Sequence, residues 1–343
     1  MFLDFLSTQI YLVFVIIILS ISEILKSNNN FSETLLSILS INSKISKKWS
    51  FSFIVIILGM LPIPGRIVLV NFLLDSVIDK ENIKSERIGF LSYLATHHYY
   101  LWSPIETSII ISMGILKISY KQMLIYTFYP LLSYIIFFFF YLIFFMKEDN
   151  FKKVEFNCKI DCKNLIDIAI ISISVIVSML FSNEKIMSMI FLFVFVFLSI
   201  KHKINLKNIF LNLDYKFISS IFIILCIGFL IKNSTYLKHI LELLTISKLD
   251  IIIIFLVCFV LSFIFGSSSR YATIAANMTL LLGMPYFSLL YIVDYCGYIL
   301  SPVHKCTFYI FSYFKYNMKF ILLLIILCLV VFIPSYLDFI FKL

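Results

Sequence analysis

The sequence predicts an all-α polytopic membrane protein made of two inverted repeats, each with a re-entrant hairpin and a broken transmembrane helix. Three observations lead there. Of 343 residues, 62% are hydrophobic and only 14% are charged, against about 45–50% and about 25% in a soluble domain. That composition excludes an ordinary soluble enzyme, a disordered tail and a secreted disulfide scaffold. The apolar residues fall in long runs, as needed to cross a hydrocarbon core about 30 Å thick. Finally, two of the apolar regions are each interrupted twice, at corresponding places.

The elements follow in order. Residues 10–25 read as a retained span: Asp4 precedes it with no Lys or Arg, and no small-residue cleavage site follows, so a signal peptide does not fit. An amphipathic stretch at 31–41 comes next, then a hairpin at 51–78 broken at Pro62–Arg66, and a broken helix at 86–116 interrupted at Ser103–Pro104. A span at 121–146 completes the first repeat, 1–146. The polar stretch 147–163 reads as a cytoplasmic loop. The second repeat, 164–343, holds spans at 164–182, 186–200 and 216–231 and an amphipathic stretch at 235–246. It ends with a hairpin at 249–283 broken at Gly266–Arg270, a broken helix at 286–314 interrupted at Ser301–Pro302, and a span at 319–341.

The parallel extends to individual residues. At an offset of 198, Tyr100, Ser103, Pro104, Lys117 and Lys121 meet Tyr298, Ser301, Pro302, Lys315 and Lys319; Arg66 meets Arg270 at 204. A repeated order of features predicts repeated structure. Counting crossings then places 18 Lys and Arg on one side and seven on the other, with Arg66, Arg270 and Lys305 at membrane depth. Basic residues mark the cytoplasmic side, so this asymmetry orients the chain and makes the repeats face opposite ways. The net charge of +9 is thus no nucleic-acid patch. The expected setting is a cell membrane, crossed several times.

The breaks carry the candidate chemistry. Unwound backbone survives in hydrocarbon only where protein or a polar cavity satisfies it, and paired breaks point to a transporter site near the midplane. Helix starts after Pro64–Gly65 and after Ser267, Ser268 and Ser269 would aim positive dipole ends at an anion. Arg66 and Arg270 would grip a carboxylate through paired hydrogen bonds, or else neutralise a nearby acid such as Asp75 or Asp294. Ser103 and Ser301, each before a proline that frees a carbonyl one turn earlier, complete the substrate candidates. Asp294, Glu106, His304, His97 and His98 could carry a proton, or a carboxylate could hold Na⁺. Asn71, Asn277, Thr273 and Thr279 are neutral ligands for Na⁺ or residues of helix packing.

Other classes lack their motifs. No GxxxxGK[ST] loop, GxSxG elbow or HExxH pair occurs, and five histidines are too few for a desaturase-like di-iron centre. The seven cysteines are scattered, and Cys158 with Cys162 has no second ligand pair at zinc spacing, so free thiols and no metal are expected. No catalytic residue and no cofactor is expected, apart from Na⁺ as a coupling ion.

The runs GMLPIPGR (59–66), HHYYLWSP (97–104) and especially GYILSPVHKCTFYIFSYFK (297–315) resemble an uncharacterised prokaryotic integral-membrane family, the domain of unknown function numbered four hundred and one. That family is grouped with the ion-transporter superfamily, alongside gluconate permeases, citrate and dicarboxylate symporters and arsenite pumps. The resemblance runs from about residue 10 onward and implies a scaffold domain, a moving transport domain and hairpins that meet at the substrate. It also implies a homodimer. Arg66, Thr96 and Tyr100 depart from the family pattern. The expected function is secondary transport of a small anion, most simply a carboxylate, coupled to Na⁺ or H⁺. The alternative is a non-transporting membrane scaffold or accessory subunit.

Overall fold

The computed structural model describes residues 2–26, 34, 47–63, 66–78, 83–146, 151, 162–181, 183–234, 248–266, 268–314 and 318–342. Its first half runs α1 (Phe2–Lys26), α2 (Lys47–Met60), α3 (Arg66–Val77), α4 (Ser85–His97) with a 3-10 turn (His98–Leu101), α5 (Thr107–Leu116) and α6 (Tyr120–Phe145). Then come α7 (Cys162–Phe181), α8 (Glu184–Lys201), α9 (Leu206–Asn212) and α10 (Tyr215–Asn233). The last group is α11 (Lys248–Phe265), α12 (Ser268–Leu282), a 3-10 turn (Met284–Tyr286) leading into α13 (Phe287–Leu300), α14 (Lys305–Phe314) and α15 (Met318–Lys342). Among the described residues the fold is all-helical, with one isolated bridge between Ile78 and Phe151.

Local chemistry accounts for several boundaries. Ser119 and Gln122 form a reciprocal capping box at the start of α6, satisfying two orphan donors. The Asn183 side chain caps α8 and that of Asn205 caps α9. Pro130 lies inside α6 and cannot donate to the carbonyl of Tyr126, four residues back. Ser288 of α13 donates to that carbonyl instead, at 2.7 Å.

Five stretches are long and apolar enough to cross a membrane: Gln9–Lys26, Tyr120–Phe145, Lys163–Phe181, Met284–Phe311 and Met318–Phe341. A sixth arises if α8 and α9, bent by 119°, count as one. This set suggests a membrane protein, and the outer surface agrees with it. Phe144, Leu180, Phe193 and Ile200 stand exposed on α6, α7 and α8, and exposed apolar side chains in such number mark a surface that contacts lipid or another protein.

The expected spans 10–25, 121–146, 164–182, 186–200 and 319–341 lie within α1, α6, α7, α8 and α15, apart from terminal residues. The span 216–231 becomes α10, whose apolar part, Tyr215–Leu230, is shorter than the five. The stretch 201–216, between two expected spans, holds α9: Lys201 and His202 both reach the buried carboxylate of Asp167, at 2.6 and 2.8 Å, and turn the chain there. The amphipathic stretches 31–41 (apart from Thr34) and 235–246 lie outside the described residues.

The two groups α2–α6 and α11–α15 have the same order of helices. The ten-residue α5 and α14 start at 107 and 305, and α6 and α15 start at 120 and 318, so both pairs keep the offset of 198. Packing between the groups is reciprocal. Helix α12 lies against α5 and α14 against α3, while α6 and α15 pack on each other. Helix α1 packs on α5, α8 and α10. The segments joining α4 to α5 and α13 to α14 come together between these layers.

Candidate functional site

The two broken helices meet at the centre of the molecule. The hydroxyls of Tyr100 and Tyr298, partners at the offset of 198, lie 2.7 Å apart. Each break frees carbonyls that no helical N–H can reach, and in an apolar interior such groups must find donors. Tyrosines supply them across the crossing. Tyr93 donates to Ile299 O at 3.0 Å, Tyr291 to Tyr100 O at 2.7 Å and Tyr295 to His97 O at 2.9 Å. Tyr134 donates to Leu94 O at 2.8 Å, and Tyr120 to Trp102 O. Tyr93, Tyr120, Tyr134, Tyr291 and Tyr295 are all fully buried. A tyrosine suits this position because its ring packs as an apolar body and its tip still donates.

Arg66 opens α3 and is buried. Its Nε and Nη2 donate to Leu61 O at 3.0 and 2.6 Å, closing the α2–α3 break. Its Nη1 lies 3.7 Å from the Glu106 carboxylate, and the guanidinium sits 3.7 Å over the Tyr99 ring. The acid paired with Arg66 is therefore Glu106, beyond the Ser103–Pro104 break, and not Asp75 or Asp294. The pair is neutral as a whole, so two charges persist in a buried site at a lower cost than either alone.

At the second tip the side-chain surroundings are described for Gly266. Gly266 adopts φ +53°, and a Cβ there would come 2.7 Å from Ser301 Oγ and 2.9 Å from His304 N. Glycine is therefore required both by the backbone and by the space. Ser301 Oγ donates to Phe263 O at 2.6 Å, which ties the end of α11 to the Ser301–Pro302 break. Ser103 is equally buried, but its hydroxyl has no partner among the described residues. Pro64, Gly65 and Ser267 lie outside the described residues. Ser268, Ser269 and Arg270 form the first turn of α12, so the helix begins inside the serine run and not after it, and their side chains are outside the description.

The ionisable candidates separate into three groups. His98 is committed to structure: Trp102 Nε1 donates to its Nδ1 at 2.9 Å, so its Nε2 carries the proton shared with Val55 O at 3.2 Å. Asp294 lies apart from Arg66, fully buried, and accepts from Ser262 Oγ at 2.8 Å and from the Ala275 N–H at 2.7 Å. His97 and His304 form the third group at the crossing, their rings edge-to-face with centroids 5.1 Å apart. His97 stacks flat on Tyr93 at 3.7 Å, and its Nε2 is buried without a hydrogen bond among the described residues. Leaving such an atom unpaired costs roughly 1–3 kcal/mol.

The neutral candidates sit around this centre. Asn71 accepts from Ser92 and keeps its amide nitrogen unpartnered among the described residues. Asn277 donates to Thr273 O at 3.0 Å while its Oδ1 is unpartnered, and Thr279 donates to Ala275 O at 2.7 Å. Thr279 thereby acts within its own helix.

The structure thus brings Arg66, Glu106, Ser301, His97 and His304 to one crossing, and places Asp294, Asn71 and the α12 polar residues on its flanks. Tyr93, Tyr99, Tyr291, Ser262 and Cys306 belong to the same region and were not expected there. Extending the offset of 198 backwards from Tyr100 and Tyr298 would have reached the pair Tyr93 and Tyr291. No comparable signal marks Ser262 or Cys306.

No curated protein matches the chain. One family, described as a protein of unknown function, matches residues 2–338, which takes in both breaks and every candidate residue named above. The chain therefore belongs to the DUF401 family of proteins of unknown function.

Proposed function

We propose that this protein is a secondary active transporter of a small anion, most simply an organic carboxylate, working by alternating access in the cytoplasmic membrane. In this reading α2–α3 and α11–α12 are re-entrant hairpins, and the two groups of helices are inverted repeats. The shared order of helices, the reciprocal packing and the 18-to-7 bias of basic residues support that geometry. The superfamily of gluconate, citrate and dicarboxylate carriers is the expected company.

The observation that carries the reading is the buried Arg66–Glu106 pair at a helix break. A guanidinium at membrane depth costs about 2.5–3.5 kcal/mol on insertion scales and is normally reserved for function. A proton taken up by Glu106 would leave Arg66 with an uncompensated charge, which an anionic substrate would then neutralise. Arg270 is its counterpart in the second repeat. Asp294, with Asn277 and Thr273 nearby in sequence, is the carboxylate that would hold Na⁺ if the coupling ion is a metal cation.

The test is a panel of carboxylates, with and without Na⁺ and at acid and neutral pH, screened for thermal stabilisation of the purified protein. A ligand at one hundred times its dissociation constant adds about 2.7 kcal/mol of stability. The stabilising anion should then be taken up by proteoliposomes, and the paired change Arg66→Gln with Glu106→Gln should abolish both effects while the protein remains folded. A second reading, a non-transporting membrane scaffold, is favoured by the fact that Arg66 already satisfies its charge within the chain. Failure of every carboxylate to stabilise the protein would select it.

A further inference from the structure

We infer that His97, His304 and Cys306 form a binding site for a single soft, monovalent metal ion, Cu(I), at the crossing of the two broken helices. One ligand atom from each residue lies within 4.8 Å of the others. Three ligands bonded at about 2.0–2.3 Å in a trigonal plane stand roughly 3.5–4 Å apart, so small side-chain rotations close the set on a metal. His97 ends α4, His304 precedes α14 and Cys306 lies in its first turn, so the site joins the two halves of the chain.

The hydrogen bonds prepare both imidazoles as ligands. The Nδ1 of His97 lies 2.9 Å from Tyr93 O, a carbonyl that can only accept, so Nδ1 carries the proton and Nε2 the lone pair. That Nε2 is the buried atom without a partner among the described residues. For His304 the tautomer follows from Tyr93, whose single hydroxyl proton is donated to Ile299 O at 3.0 Å. The Nδ1 of His304, 3.1 Å from that hydroxyl, must then be the donor, which leaves its lone pair on Nε2 as well. Holding one ring N–H on a carbonyl or hydroxyl is how proteins orient histidines that ligate through the other nitrogen. Tyr93 orients both rings at once. Cys306 is a free thiol, partly accessible.

Charge selects the metal. Cys306 gives up its thiol proton to solvent as the metal binds, so two neutral imidazoles and one thiolate bring a single negative charge, which a monovalent cation cancels. A divalent ion would leave a net positive charge in an apolar interior where the Arg66–Glu106 pair is already balanced. Thiolate and imidazole together suit Cu(I), and three-coordination by two His and one Cys is a copper geometry. The inference is independent of the transport reading, because it concerns binding alone.

The test uses the full chain purified in detergent under anaerobic, reducing conditions and titrated with Cu(I) against a competing chelator. The expected result is one Cu(I) per chain, with X-ray absorption showing two nitrogen neighbours and one sulfur. Losing an outer partner of a metal ligand costs roughly 10–100-fold in affinity, so Tyr93→Phe should fall in that range and Cys306→Ser beyond it. Cys226→Ser, at a thiol remote from the site, should bind as the parent does. The inference is overturned by the absence of stoichiometric Cu(I) and by undiminished binding in Cys306→Ser. Sulfur-only coordination, or Zn²⁺ held more tightly than Cu(I), would overturn it equally. The absorption measurement on the parent protein needs no variant, so a misfolded mutant leaves it decisive.

Discussion

Residues 93–106 and 291–304 occupy corresponding places 198 positions apart, yet the first break carries an ion pair and the second carries none among the described residues. Tyr93, Tyr100 and Ser103 recur as Tyr291, Tyr298 and Ser301, whereas Thr96 and Glu106 are replaced by Asp294 and His304. The residues that recur are those that build the break: proline opens the helix, and tyrosines from the other half close its carbonyls. Several of the positions that differ carry an ionisable group in at least one of the two stretches. The two stretches therefore share one hydrogen-bonding solution and differ in charge.

Four experiments would break or sharpen that comparison, the first having the largest effect. Removing one partner of a buried pair leaves the other uncompensated, so Glu106→Gln or Arg66→Gln alone should cost about 3–5 kcal/mol. The double change should recover most of that loss in thermal unfolding of the purified protein; equal losses in single and double variants would show that the pair is not coupled. Gly266→Ala places a side chain at φ +53° and against the second break, and should cost about 1–2 kcal/mol from the backbone alone. No loss there would mean that this tip does not sit on Ser301.

Smaller effects test the symmetric part. Tyr100→Phe and Tyr298→Phe each remove one half of the same contact, and hydrogen bonds of this kind average about 0.6 and reach about 1.7 kcal/mol inside membranes. The double variant should lose less than the sum of the two single ones, because the bond between the two hydroxyls is lost only once. Finally, Ser301→Ala loses the bond to Phe263 O and should destabilise, whereas Ser103→Ala loses no bond found among the described residues and should stay within about 0.5 kcal/mol. If the two changes cost the same, the serines are equivalent and the asymmetry is confined to the charges.

Much of the frame was readable from the residues. The Ser-Pro pairs and the tips at Pro62–Arg66 and Gly266–Arg270 mark breaks because proline, glycine and serine interrupt runs that are otherwise apolar. The helix starts at 107, 305, 120 and 318 reproduce the offset already visible in the identities. The partner of Arg66 was less legible. Asp75 lies on the same helix and was the nearer choice in sequence, but the guanidinium turns toward Leu61 O and Glu106. His98, equal to His97 on paper, is closed off by Trp102 and Val55. Cys306 read as one scattered thiol among seven, because His304 stands two residues before it but nothing local indicates that His97 is brought in from the end of α4.

By itself the sequence determined the all-helical class, the membrane-length helices, the places where they break and the membership in a family, because each depends on local composition, spacing or direct likeness. The tertiary structure alone decided which buried groups face one another: Arg66 with Glu106, Tyr100 with Tyr298, His97 with His304 and Cys306. Those pairings arise where two distant broken helices cross, and an apolar interior leaves each unsatisfied donor, acceptor or charge to be met only by what packing puts beside it.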